Sequence, residues 1–124
     1  MKQKPAKRHF PRFSANLPLV AVAISDTDVI TLRGRCEIIS ENGLGAQLPG
    51  RIALGEIVSL ELHLPNSVWP VRVHATVRHS RSPHHGLEFL SLNESQRRVI
   101  SRYCELQSQP ARVLMIDQLR KLLP

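Results

Sequence analysis

Arg8 and Arg12 are separated by three residues in a stretch that also holds Lys2, Lys4 and Lys7 and no acid. A guanidinium is a planar, permanently charged fork. It can take two phosphate oxygens at once, match the O6/N7 edge of guanine, or lie flat on a base. Two such groups on an arm that folds over a ligand can hold a phosphorylated purine from two sides. Further along, Ser40-Glu41-Asn42-Gly43-Leu44-Gly45 sets small polar side chains among glycines. Ser40 and Asn42 can donate or accept hydrogen bonds. Gly43 and Gly45 permit positive φ and leave no Cβ in the way of a close approach. Taken alone, each half also fits a plainer reading: a solvated basic tail and a polar hairpin turn.

The charge distribution favours an arm over a basic face. The net charge is +7, yet five of the 17 Lys and Arg residues lie within the first 12 positions, leaving 12 bases against 10 acids elsewhere. Such an arm suits a phosphate ligand, RNA or anionic lipid. Aromatic residues make up only 4% of the chain, a poor supply for stacking single strands. No apolar run approaches a membrane span, and none follows the basic N-terminus as in a secretory signal. Cys36 and Cys104 are far apart with no Cys-x-x-Cys spacing, which points to two reduced, buried thiols and a cytoplasmic protein.

Other chemistries find little support. His84 and His85 are adjacent, so on a strand they face opposite ways and cannot share a metal. No Cys/His spacing resembles a zinc site, and no Gly-x-Ser-x-Gly elbow accompanies the Ser, His and Asp residues. Neither a metal nor an enzyme activity is expected. Trp69, between Val68 and Pro70, is expected to cap the core at a loop edge.

The elements that must position these groups are mostly strands. Val58, Leu60, Leu62 and Leu64 alternate with polar residues, as do Val71, Val73, Ala75 and Val77. A period of two puts one face in a core and the other in water. Residues 17–24, 28–40, 44–48 and 86–89 read as further strands, after a flexible lead-in over residues 1–16. Asn93 with Gln96 has capping-box spacing, and Val99, Ile100, Tyr103 and Leu106 then fall on one helical face. Pro110 ends that helix, and Val113, Ile116, Leu119 and Leu123 predict a second, short one. Periodicity therefore gives an all-β body followed by helix. Short antiparallel strands suggest a closed barrel, which removes exposed edges.

Together, the two polar segments resemble the two-part signature of the PilZ family, Arg-x-x-x-Arg followed by [Asp/Asn]-x-Ser-x-x-Gly. Arg8-His9-Phe10-Pro11-Arg12 is similar to the first part, and Ser40 to Ala46 to the second part and the strand leaving it. Leu54 to Leu62, Ala75-Thr76-Val77-Arg78, Gly86-Leu87-Glu88-Phe89 and the helix opening at Asn93 resemble later family landmarks in order. The resemblance spans residues 7–106. It implies a six-stranded antiparallel barrel with a C-terminal α-helix, preceded by a basic arm at 1–6 and followed by a helical extension at 107–124.

The resemblance also implies a ligand. PilZ proteins bind cyclic di-GMP, a dinucleotide with two guanines and two negative charges, and Arg8, Arg12, Ser40, Asn42 and Gly45 are the residues expected to hold it. In this register Ser40 takes the family's Asp/Asn position, Asn42 its Ser position, and Gly45 alone matches. Each replacement keeps hydrogen-bonding capacity but alters reach, and one lost polar contact costs ~1–3 kcal/mol. The implied role is a non-enzymatic sensor or adaptor without a cofactor, whose partners are cyclic di-GMP and an unidentified protein. No nucleic-acid polymer and no membrane span are expected. Two alternatives stay open: a PilZ-fold interaction module that has lost the messenger, and a small basic RNA- or DNA-binding barrel.

Overall fold

A computed structural model of the chain describes residues 10–24 and 27–108. Arg8, the arm at 1–6 and the second helix expected over 111–123 lie outside the described residues.

Six strands run β1 (Phe13–Ile24), β2 (Val29–Ser40), β3 (Gly43–Gln47), β4 (Ile57–Leu62), β5 (Val71–Arg81) and β6 (His84–Leu90), followed by helix α1 (Glu94–Gln107). All pairings are antiparallel, and the order β1-β2-β3-β6-β5-β4 closes into a barrel. Closure pairs every strand on both sides and leaves no sheet edge.

The alternating residues fill the interior. Val58, Leu60, Leu62, Val73, Ala75 and Val77 are all buried, together with Leu19, Ala21, Ile39, Leu44 and Leu87 from the other strands. β1 starts earlier than the sequence pattern suggests. Residues 13–16 were expected in a flexible lead-in, but Phe13 pairs with Ile39 and Ser14 with Ile38, so the long β2 recruits the polar start of β1. Trp69 is a second correction: it is 77% exposed and caps nothing, and its neighbour Val68 in the β4–β5 loop is 92% exposed.

Helix α1 lies across one end of the barrel. Its capping box is formed, with the Gln96 amide N–H donating to Asn93 Oδ1 and the Asn93 N–H to Gln96 Oε1, each at 2.7 Å. Ile100, Tyr103 and Cys104 face the core. Three polar links tie the helix to the barrel end. Gln96 Nε2 donates to the Arg72 carbonyl, Asn66 Nδ2 donates to the Val99 carbonyl at 3.3 Å, and Ser101 Oγ donates to Glu41 Oε1 at 2.9 Å. The last link fastens α1 to the β2–β3 turn.

Both cysteines are free and buried. Burial pushes the Cys36 thiol up to about 12, offset in part by the Ile38 backbone; Sγ lies 3.4 Å from the Ile38 carbonyl oxygen, to which the neutral thiol donates. Burial likewise raises Cys104 to about 11, with the Glu41 charge adding to the effect.

Candidate functional site

Strand register lays out a polar row on the outside of the barrel. Ser40 pairs with Gly43, and Gly43 with Glu88, so these three residues stand side by side on β2, β3 and β6. Ile38, Gly45 and Gly86 form the next row on the same face. Between the two rows, Ile39, Leu44 and Leu87 point inward and are buried. Arg78 sits where β5 shifts register against β6, between Val77 and His79.

A cavity of about 350 Å³ opens on this face. The stretch before β1 supplies Phe10 and Arg12, the β2–β3 hairpin supplies Ile38, Ser40, Asn42, Gly43 and Leu44, and β5 and β6 supply Arg78, Gly86, Leu87 and Glu88. The described lining thus holds two guanidiniums and one carboxylate. The two cations suit an anionic guest, and the volume falls in the range of small-molecule sites. A second cavity of similar volume lies over β1, β4 and β5, with no lining residue from the β2–β3 hairpin.

The hairpin is held by its own side chains. Ser40 Oγ donates to Asn42 Oδ1 at 2.7 Å and accepts the Asn42 N–H at 3.3 Å, while Ser40 itself is buried. Ser40 is therefore a turn-former first, of the kind in which a hydroxyl substitutes for a backbone partner. The Asn42 carbonyl accepts the Phe89 N–H at 2.9 Å and pins the turn to β6. On the far wall Arg78 Nε donates to Glu88 Oε1 at 2.6 Å.

Gly43 is needed for close packing and not for unusual φ, since positive φ among the glycines is confined to Gly50 and Gly55. A Cβ on Gly43 would lie 2.3 Å from the Leu87 carbonyl oxygen of the neighbouring strand. At Gly45 a Cβ would meet only the Ile38 Cβ, at an ordinary 3.7 Å.

These facts place the expected site residues unequally. Arg12, Ser40 and Asn42 converge on the cavity. Arg8 lies outside the described residues. Gly45 is not among the lining residues, whereas its cross-strand partner Ile38 and Gly43 are. The register of the second signature shifts accordingly. Ser-x-x-Gly spacing describes a two-residue turn whose Ser and Gly face each other, and that pair is Ser40 and Gly43. The six-residue signature then falls on Ile38-Ile39-Ser40-Glu41-Asn42-Gly43, with one departure instead of two: Ile38 where the family has Asp or Asn. Arg78 and Glu88 were read only as landmarks. Alternation along 86–89 could have put Gly86 and Glu88 on one face, but only the pairing of β3 with β6 puts that face beside Ser40.

The PilZ domain family matches residues 6–106. The chain belongs to the PilZ domain family. No curated protein sequence matches it. Among solved structures it resembles the PilZ domain of Escherichia coli YcgR with c-di-GMP, at 19% identity and a TM-score of 0.67, covering 89% of this chain and 98% of that one. Escherichia coli YcgR in complex with c-di-GMP gives 20% identity and a TM-score of 0.69, covering 94% of this chain and 51% of that chain. The Bacillus subtilis inhibitor of motility MotI/DgrA gives 20% and 0.63, covering 86% of this chain and 55% of that one. The chain thus spans about half the length of these two longer PilZ proteins. At such identities the likeness establishes the PilZ barrel, and this chain's own cleft must carry the functional argument.

Proposed function

We propose that this PilZ domain is a non-enzymatic sensor that binds cyclic di-GMP in the cleft between the N-terminal arm and the β2–β3 hairpin and passes its occupancy to a protein partner. The observation that carries this reading is the convergence of Arg12 with the Ser40–Gly43 hairpin on one cavity. Arg12 is exposed and free to turn toward a phosphate or a guanine edge. Arg8, four residues earlier, would supply the second fork as the arm folds over the ligand. Ser40 shapes the turn, Asn42 offers its side-chain amide, and Gly43 lets β3 and β6 approach. The reading involves no metal and no prosthetic group, and it places the chain in the bacterial cytoplasm. Among the described residues no helix is long and apolar enough to cross a membrane. Calorimetric titration with cyclic di-GMP, with GTP and cyclic di-AMP as controls, tests the proposal. Heat confined to cyclic di-GMP supports it, and silence at high micromolar ligand refutes it.

One observation favours a second reading. Ile38 stands where the family carries Asp or Asn, so the cleft loses a polar group on β2. A PilZ interaction module without the messenger would show that silence while still binding its protein partner.

A further inference from the structure

Guanine presents two parallel donors on its Watson–Crick edge, N1–H and the exocyclic N2–H. A carboxylate is acceptor-only and its two oxygens match that pair. The Ile38 side chain can accept nothing. Among the described lining residues of the cleft, the single carboxylate is that of Glu88. It lies on the same outward face as Ser40, two strands away in the row Ser40–Gly43–Glu88. Gly43 between them has no side chain, so the line from the hairpin to Glu88 is open. Arg78 Nε grips Oε1 at 2.6 Å, which fixes the carboxylate and leaves Oε2 and the remaining lone pairs for a guest. The Glu88 side chain is 44% exposed and that of Arg78 64%, too open for the pair to contribute much to the fold. Two charged side chains paired on the wall of a cleft, at little benefit to stability, suit recognition better than architecture.

We propose that Glu88 is the guanine-reading residue of this cleft. Its carboxylate accepts N1–H and N2–H of one guanine, and Arg78 is the positioning residue that holds it. The acceptor missing at position 38 of β2 is thereby supplied from β6. Adenine would set its N1 lone pair against the same carboxylate, so the arrangement selects guanine. This rests on the cyclic di-GMP reading above.

The test uses the full chain and two ligands, cyclic di-GMP and cyclic di-IMP, whose hypoxanthine lacks the 2-amino group. The wild type should bind cyclic di-IMP roughly ten- to a hundredfold more weakly. Glu88→Gln should weaken cyclic di-GMP by a similar factor and erase the difference between the ligands, since the changes remove the two ends of one contact. Circular dichroism on the variant checks that the barrel is intact. Arg78→Ala, a change at the more exposed partner, is the second variant and should shrink the ratio of the two affinities. A Glu88→Gln protein that binds cyclic di-GMP as well as or better than the wild type overturns the proposal, because the carboxylate would then only repel the phosphates. So does an unchanged ligand ratio in either variant. A wild type that binds neither ligand refutes the messenger reading itself, an outcome distinct from binding without discrimination.

Discussion

Gly43→Ala and Gly45→Ala differ by one methyl group each, two residues apart, and should behave oppositely. At Gly43 the new Cβ would sit 2.3 Å from the Leu87 carbonyl oxygen and 3.3 Å from Glu88 Cα. Carbon–oxygen contacts across paired strands normally settle near ~3.3–3.6 Å, so the overlap is about an ångström. The obstacle is backbone in β6, which moves only if β3 and β6 part. Overpacking of this kind costs ~1–3 kcal/mol, more if ladder hydrogen bonds are lost as well. For a domain of this size each kcal/mol lowers the melting temperature by roughly 4–8 °C, so Gly43→Ala should melt about 10 °C or more below the wild type. At Gly45 the Cβ would meet Ile38 at 3.7 Å, an ordinary contact. Removing a glycine's unfolded-state freedom there stabilises by ~0.4–1 kcal/mol, so Gly45→Ala should melt at or slightly above the wild type. Thermal circular dichroism gives both values. Cyclic di-GMP titration of Gly45→Ala then tests the register: with Ser40 and Gly43 as the functional pair, affinity stays within about threefold. A Gly43→Ala protein melting within a few degrees of the wild type would falsify the steric argument. A large affinity loss in Gly45→Ala would return the signature to Asn42 and Gly45.

Three further outcomes are expected. Arg12→Ala and Arg8→Ala should each weaken cyclic di-GMP by roughly ten- to a hundredfold, for loss of a charge-assisted contact worth ~1.5–3 kcal/mol. Deleting residues 1–6 should change little, since Lys2 and Lys4 add only screened attraction. Equal effects from the deletion and the substitutions, with a steep fall in affinity as salt rises, would favour nucleic-acid backbone as the ligand. Ser101→Ala removes the bond to Glu41 and should cost ~1 kcal/mol of stability. In hydrogen exchange, ligand protection should then stop at the β2–β3 turn, and protection of α1 equal to the wild type's would sink the coupling. Finally, with thiols at about 12 and 11, the thiolate fraction at pH 8 is on the order of 10⁻⁴ to 10⁻³, and neither cysteine should react with Ellman's reagent until the barrel opens. Both groups are raised above their unfolded values. Their contribution to stability is thus complete below about pH 8.5–9 and is lost progressively as pH climbs from there to the folded values of about 11 and 12. A urea midpoint unchanged between pH 8.5 and 10.5 would contradict this.

The legible parts of the sequence are those set by local period. Val58 to Leu64 and Val71 to Val77 announce their inward faces by alternation, and Asn93 with Gln96 announces the helix start; all three appear in the structure. The strand number came from the family resemblance, since alternation alone cannot say how a sheet closes. The polar beginning of β1 escaped because Phe13 to Asn16 carries a weak pattern of its own and owes its strand to β2. The site was legible only at its two ends. Arg12, Ser40 and Asn42 lie in recognisable segments. The facing of Ser40 by Gly43 depends on where a two-residue turn falls, and the arrival of Glu88 beside them depends on β3 pairing with β6, a neighbour some forty residues away. A shift of the signature by two residues keeps every side chain on its face of the strand, so periodicity could not choose between Gly43 and Gly45. Steric closeness at Gly43 does.

The turn itself explains how a closed barrel could report what it holds. Strands paired on both sides leave no edge to rearrange, so a signal has to leave through a loop or through what is fastened to one. Glu41 and Asn42 are the whole of the β2–β3 turn, and they face different neighbours. Asn42 lines the cleft and anchors β6 through the Phe89 N–H, while the Glu41 carboxylate holds Ser101 on α1. A ligand that donates to Asn42 Oδ1 shares that oxygen with the Ser40 hydroxyl, and loosening the Ser40 contact would disturb the neighbouring residue, on which the helix is tied. Helix α1 is otherwise seated by Ile100, Tyr103 and Cys104 in the core, so it can respond by a small reorientation without leaving the barrel. Its outward face carries Arg97, Arg98 and Arg102, with Arg98 and Arg102 in exposed pairs with Glu94 and Glu105. Exposed pairs of this kind bind weakly and can be exchanged for a partner's acids. Two adjacent turn residues, one lining the cleft and one bonded to the helix, thus connect the cleft wall to α1.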